Sequence, residues 1–175
     1  MGCVGSCADD DVVPRVLMLG LKGAGKSTIL NKLKDDDIIE VFETMGFNTE
    51  TLDFDGKEVC VWDLGGDTKN RNLWRHYFNG TYGLIFVVDA SDKKKFSSAK
   101  SEIEQIVSST ELLNCPVLFL MNKTDLTDLS VDEFSHEMAV LRIKQPMCQV
   151  FPVCASTGNG LSEAMSWLSK AMKKE

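Results

Sequence analysis

Residues 20 to 27 read Gly20-Leu21-Lys22-Gly23-Ala24-Gly25-Lys26-Ser27, a G-x-x-x-x-G-K-S string set directly after the apolar run Val16 to Leu19. The spacing functions only as a loop joining a strand to a helix, so it constrains the fold more than any other feature of the chain. Its glycines let the backbone double back with N–H groups turned inward, and Lys26 adds a point charge suited to β- and γ-phosphates. The Ser27 hydroxyl is a ready ligand for Mg²⁺, and a helix starting at Lys26 aims the positive end of its dipole at the same anion. Gly23, Ala24, Gly25, Lys26, Ser27 and Thr28 therefore read as a phosphate cradle. The string alone leaves the base and the reaction open, and a glycine turn that binds nothing is its bland rival.

Composition narrows the partners. A chain of 175 residues has the size of one domain and can bury a sizeable core. Its net charge of −7 argues against a nucleic-acid backbone as partner, which would call for a basic stripe. The clusters Asp9 to Asp11, Asp35 to Asp37 and Lys93 to Lys95 read as solvated faces. No apolar stretch approaches the roughly 18 residues that cross a bilayer, and no secretory leader precedes the first strand, so an intracellular chain is expected. The cysteines at 3, 7, 60, 115, 148 and 154 lack a paired metal spacing, and disulfides are not expected in a reducing compartment.

Short β-rich runs alternate with helical patterns, the signature of a mostly parallel sheet with helices on both faces. Strands are expected over 15–19, 49–54, 58–62, 84–88, 117–121 and 149–153, six in all. Asp55-Gly56 is a two-residue hairpin turn, so the second and third strands should form an antiparallel edge while the others run parallel through helical crossovers. Helices fit 26–34, 94–109, 131–141 and 161–173; the last keeps Leu161, Ala164, Met165 and Leu168 on one face. With no repeat or linker, residues 15–175 read as one domain preceded by a segment 1–14.

Ligands of such sheets lie beyond the carboxyl ends of the strands, which directs attention to the loops there. After the third strand comes Trp62-Asp63-Leu64-Gly65-Gly66, where Asp63 can serve Mg²⁺ through its water shell and Gly66 can offer its N–H to a γ-phosphate. After the fifth lies Asn122-Lys123-Thr124-Asp125. A carboxylate at Asp125 can accept hydrogen bonds from the N1–H and exocyclic amine of guanine, an edge adenine lacks, while the Lys123 stem covers the base. Cys154-Ala155-Ser156 follows the sixth strand, and the Ala155 N–H is a candidate donor to the guanine O6. Thr44, in Glu43-Thr44-Met45-Gly46-Phe47-Asn48, is a second hydroxyl for the metal, available when a γ-phosphate draws its segment inward. A segment ordered by the third phosphate and released without it is a switch.

Gly46-Phe47-Asn48, Trp62-Asp63-Leu64-Gly65-Gly66, Leu73-Trp74-Arg75-His76-Tyr77-Phe78 and Gly83-Leu84-Ile85-Phe86-Val87-Val88-Asp89 occur together, with the nucleotide motifs in order. In these residues, from about Val16 to the last helix, the chain resembles the Arf family of small GTPases. The resemblance implies a six-stranded P-loop fold, a GTP/GDP switch with Mg²⁺ working on cytoplasmic membrane surfaces, and partners of three kinds: exchange factors, GTPase-activating proteins and effectors. It also implies that Phe47, Trp62 and Tyr77 are an exposed aromatic triad for effectors; as bare sequence, aromatics beside strands are more often core.

The chain departs from that family at three places. Asp67 stands where the family carries the glutamine that orients the attacking water. Aspartate is a methylene shorter, has no N–H donor, and places negative charge near an anionic transition state. Hydrolysis is expected to be slower by roughly 10² to 10³, or about 3 to 4 kcal/mol of barrier; the opposing role for Asp67 is a general base. Lys22 occupies a phosphate-loop position where relatives commonly have aspartate, and the two exchanged charges are expected to approach each other, with Lys22 neutralising Asp67 or contacting the γ-phosphate. Lys22, Lys26 and Asp67 are thus the candidates for the chemistry, with Lys22 in open solvent as the plainer alternative.

The third departure is the amino terminus. Met1-Gly2-Cys3-Val4-Gly5-Ser6 fits M-G-x-x-x-[ST], with Gly2 a myristate acceptor and Cys3 and Cys7 placed for palmitate. Two acyl groups anchor stably where one does not. The tail Lys173-Lys174-Glu175 has no prenylation pattern, and the acidic stretch before Pro14 lacks the amphipathic helix usual in relatives. The expectation is a peripherally membrane-attached, cytoplasmic GTP-binding switch in trafficking or signalling, with no demand for more than a monomer. A non-hydrolysing GTP-binding scaffold is the first rival, and a small P-loop kinase the second.

Overall fold

The computed structural model describes residues 13–34 and 46–172. Thr44 and the acylation candidates Gly2, Cys3 and Cys7 lie outside the described residues. Six strands form one sheet in the order β2-β3-β1-β4-β5-β6. They are β1 (Arg15–Gly20), β2 (Phe47–Phe54), β3 (Lys57–Leu64), β4 (Thr81–Asp89), β5 (Val117–Asn122) and β6 (Cys148–Pro152). Among the described strands, β2 and β3 pair antiparallel and every other neighbouring pair runs parallel. The Asp55-Gly56 turn closes that edge hairpin with both residues at positive φ, 55° and 80°, and the Asp53 carboxylate accepts the Gly56 N–H at 2.7 Å.

Strict alternation along the central strands divides the core between the two faces. Leu17, Leu19, Phe86 and Phe119 point to one side, where α3 (Phe96–Val107) contributes Ala99 and Ile103 and α4 (Val131–Glu137) contributes Phe134. Val16, Met18, Ile85 and Leu118 point to the other, against α1 (Lys26–Leu33) with Ile29 and Leu30 and α5 (Leu161–Ala171) with Ala164, Met165 and Leu168. The α5 stripe is the expected one, joined by Ser169, whose hydroxyl donates to the Phe54 carbonyl at 3.1 Å. β4 from Leu84 to Val88 and β5 from Val117 to Met121 are continuous apolar runs because both of their faces are covered there.

Several boundaries differ from the expected ones. β2 begins at Phe47 and β3 continues to Leu64, because the hairpin ladder pairs Phe47 with Leu64 beyond the apolar run. The α4 pattern carries an apolar position at Leu141, yet Ala139 adopts left-handed backbone (φ 51°) and ends the helix, leaving Leu141 exposed. Ahead of α3, Lys93–Lys95 forms a 3₁₀ turn. A short helix, α2 (Thr68–Arg71), has no counterpart in the sequence reading; four residues are too few to show a period.

Strand order reverses around β1, since β3 lies on one side of it and β4 on the other. In an open sheet that reversal opens a crevice beyond the carboxyl ends of the strands. The crevice falls at Gly20, where the glycine-rich loop begins.

Candidate nucleotide site

The glycine-rich loop leaves β1 and enters α1 at Lys26. Gly25 precedes the helix in left-handed conformation (φ 101°) and gives it no side-chain cap; the first turn has no acidic residue. A helix start with no capping side chain and no acidic residue in its first turn is a suitable end for an anion. Lys26 is 7% exposed, and its ammonium donates to the carbonyls of Gly20 (2.9 Å) and Leu21 (3.3 Å). Desolvation by burial pulls its pKa down, Asp63 pushes it back up, and Arg71 adds a further lowering. A phosphate would favour the charged form and supply the anionic partner that a buried ammonium lacks on its carbonyls.

Asp63 is wholly buried, and one of its carboxylate oxygens accepts the Ser27 hydroxyl at 2.6 Å. A hydroxyl and a carboxylate held together beside a lysine suit a hard, oxygen-seeking cation that also takes phosphate oxygens. Among the described residues no three His, Cys, Asp or Glu side chains gather as a metal cluster, so an ion at Ser27 and Asp63 would draw its remaining ligands from elsewhere.

Two close approaches build the cradle. A Cβ on Gly25 would stand 2.3 Å from the Asn122 side-chain nitrogen, so the loop packs directly on the end of β5. A Cβ on Gly66 would stand 2.3 Å from the Gly20 carbonyl oxygen, and the Gly66 carbonyl accepts the Lys22 N–H at 3.1 Å. The Asp-x-x-Gly segment after β3 thus lies against the phosphate loop, with room only for glycine. The Trp74 indole, 2% exposed, donates to the neighbouring Gly65 carbonyl at 3.0 Å, while the Gly65 N–H donates to Gly46. Sequence reasoning gave Trp74 no such task.

Asp67 has a definite job here: it is the N-cap of α2. Its carboxylate accepts the Asn70 backbone N–H at 2.7 Å and the Asn70 amide at 3.1 Å. The Asp67-x-x-Asn70 spacing was a readable capping signal, eclipsed by the comparison with glutamine. Arg71, at the end of α2, pairs with Glu102 of α3 at 2.7 Å and ties the short helix down.

The base-side loops converge on a cleft of about 210 Å³ lined by Gly25, Thr28, Lys123, Asp125, Leu126 and Ala155, among others. Asn122, expected to help select the base, is 1% exposed and fully engaged inside the protein. Its amide donates to the Ala24 carbonyl at 2.9 Å, and its oxygen accepts the Ala155 N–H at 3.1 Å. The fold therefore makes it a strut between three loops, since a buried amide must satisfy both ends. The same bond commits the Ala155 N–H that was expected to serve O6. Asp125 is exposed and accepts a bond from the Cys154 thiol at 3.4 Å. Lys123 takes left-handed backbone (φ 62°) and donates to Gly23 O at 2.9 Å and to Asp89 at 2.7 Å. Asp89 ends β4 after its apolar run, and nothing in that string signals a partner at Lys123.

Phe47, Trp62 and Tyr77 do come together, with ring centroids 5.4 to 5.9 Å apart. Phe47 is 52% exposed, while Trp62 and Tyr77 pack partly against the core and Arg15 sits over the Trp62 ring.

A family model described as the ADP-ribosylation factor family matches residues 6–172. Among solved structures, the chain is similar to the Arl6 BBS3 small GTPase of Trypanosoma brucei with the bound nucleotide analogue GppNp, at 28% identity and a TM-score of 0.83, covering 92% of this chain and 98% of that one. With a family match along nearly the whole chain and a fold shared with a solved small GTPase, this protein belongs to the ADP-ribosylation factor family of small GTPases.

Proposed function

We propose that this chain is a Mg²⁺-dependent GTP-binding switch with slow hydrolysis, attached by its acylated amino terminus to cytoplasmic membrane surfaces in trafficking or signalling. The observation that carries the binding half is the bond from the half-buried Ser27 hydroxyl to the buried Asp63 beside the buried Lys26. Ser27 and Asp63, with Thr44, would hold the ion, directly or through water, and the ion neutralises charge at the β- and γ-phosphates when bound. Lys26 and the N–H groups from Gly23 to Thr28 bind the phosphates, and Gly66 senses the third. Asp125 reads the guanine edge, Lys123 covers its face, and Cys154 and Ala155 close the far side of the cleft. Phe47, Trp62 and Tyr77 present the nucleotide state to effectors; exchange factors and activating proteins set it.

Slow turnover follows from what Asp67 does. Its carboxylate is directed to the α2 N-terminus by two bonds from Asn70, and it has no donor with which to hold a water at the γ-phosphate. A residue used as a cap and lacking an N–H leaves the attacking water unoriented. The same observation favours a second reading, a GTP-bound scaffold that does not hydrolyse at all. Single-turnover hydrolysis of GTP by the wild type, Asp67→Gln, Lys22→Ala and the double mutant tests both. We expect Asp67→Gln to be roughly 10² faster than wild type, with a non-additive double mutant if Lys22 compensates Asp67. Wild-type turnover already at the rate of Asp67→Gln would defeat the slow-switch reading. No turnover in the wild type even with an activating protein would establish the scaffold.

A further inference from the structure

We propose that Asp89 is a positioning residue of the guanine-nucleotide site, fixing Lys123 as a clasp between the loops that follow β1, β4 and β5. The assignment rests on the nucleotide reading above and adds a residue to it. Asp89 is the last residue of β4 and stands opposite Asn122 of β5 in the ladder. One of its carboxylate oxygens accepts both the backbone N–H (2.9 Å) and the hydroxyl (2.6 Å) of Ser91. The other accepts the Lys123 ammonium at 2.7 Å, and that ammonium also donates to the Gly23 carbonyl at 2.9 Å. One cation therefore joins the phosphate loop, the end of β4 and the base-side loop.

Burial fixes the importance of the charge. The Asp89 side chain is 12% exposed and that of Lys123 33%. Burial works to raise the Asp89 pKa, but the bonds from Lys123 and Ser91 outweigh it and hold the carboxyl below its usual value. Lys123 also keeps a left-handed backbone that is costly for a residue with a Cβ, so its orientation needs support from elsewhere. The two acceptors on its ammonium provide that support. Without the carboxylate, the four-carbon stem expected over the base loses one of its two anchors. The competing view is that Asp89 merely shapes the turn through Ser91.

Asp89→Asn separates the two views, since it preserves size and the oxygen facing Ser91 while removing the charge facing Lys123. Dissociation of fluorescent GDP and GTP would be followed for wild type, Asp89→Asn, Ser91→Ala, Lys123→Ala and Asp89→Asn in the Lys123→Ala background. We expect Asp89→Asn to release both nucleotides about 10-fold faster, in proportion to a lost charge-assisted bond. The GDP to GTP ratio should be unchanged, because the base and the first two phosphates, which the clasped loops would meet, are common to both nucleotides. Ser91→Ala should stay within about 2-fold of wild type, and Asp89→Asn should have no added effect once Lys123 is alanine. Release from Asp89→Asn at the wild-type rate, an equal loss in Ser91→Ala, or a full effect in the Lys123→Ala background would overturn the assignment and leave the nucleotide reading intact. A wild-type chain that binds neither nucleotide would overturn both.

Discussion

Gly25 shows how a single missing side chain can decide a site. Its φ of 101° and the 2.3 Å between a built Cβ and the Asn122 nitrogen exclude every other residue twice, by backbone strain and by collision. Gly56 in the hairpin has a similar φ of 80° but open space around it. The pair supplies a controlled comparison. Gly25→Ala should lose guanine-nucleotide binding by more than about 100-fold, because relief of the clash displaces Asn122 and, with it, Ala24 and Ala155. Gly56→Ala should cost only about 1 kcal/mol of stability and leave binding alone. Isothermal titration and denaturant unfolding of both variants check this; equal losses of binding would show that Gly25 acts only through its φ. The gathering of Lys26, Ser27 and Asp63 was readable in sequence, since Ser27 bonds Asp63 and the Asp63 charge acts on Lys26. Asn122 was not. Its amide looks like a base-reading group in a string, and only the distances to Ala24 and Ala155 show that both ends are already committed.

The α-helix that follows the Gly66 contact with the phosphate loop is also the shortest α-helix among the described residues. Four residues of α2 cannot hold a helix by propensity, so its shape depends on the Asp67 cap and on the Arg71–Glu102 pair that binds it to α3. Both side chains of the pair are partly shielded, 21% and 24% exposed, which places the bond near the upper end of surface pairs at about 1 kcal/mol. Glu102→Gln should therefore quicken amide hydrogen exchange at Thr68 to Arg71 by roughly 5-fold while leaving α1 and β5 unchanged. Exchange unchanged at those amides would show that the cap alone holds the helix. The longer elements were legible because both faces of the sheet are covered and the helix stripes repeat. α4 ran short of its apolar pattern for a local reason, the left-handed Ala139, which no periodicity reveals.

Across the whole molecule, ligand binding and folding are one equilibrium. The groups that would meet the phosphates and the base come from loops after β1, β3, β5 and β6, and each such loop continues a strand or helix of the common core. Guanine nucleotide with Mg²⁺ should thus stabilise the entire fold, by about 2.7 kcal/mol at 100 times its Kd, or roughly 5 to 10 °C in Tm for a chain of this size. Adenine nucleotides at the same concentration should leave Tm within about 1 °C. Equal shifts with both bases, followed by calorimetry, would remove the assignment of Asp125 as the guanine reader.

Contiguous residues alone determined the phosphate loop, the edge hairpin and the order of motifs, because each is local chemistry: a turn needs its glycines and a helix end its donors within a few positions. Closure of the site came from folding. Lys123 meets Gly23 across 100 positions and Asp89 across 34, and Arg71 meets Glu102 across 31. No short string encodes such meetings, since they depend on which strands the sheet sets side by side and on how near their loops are then forced to lie.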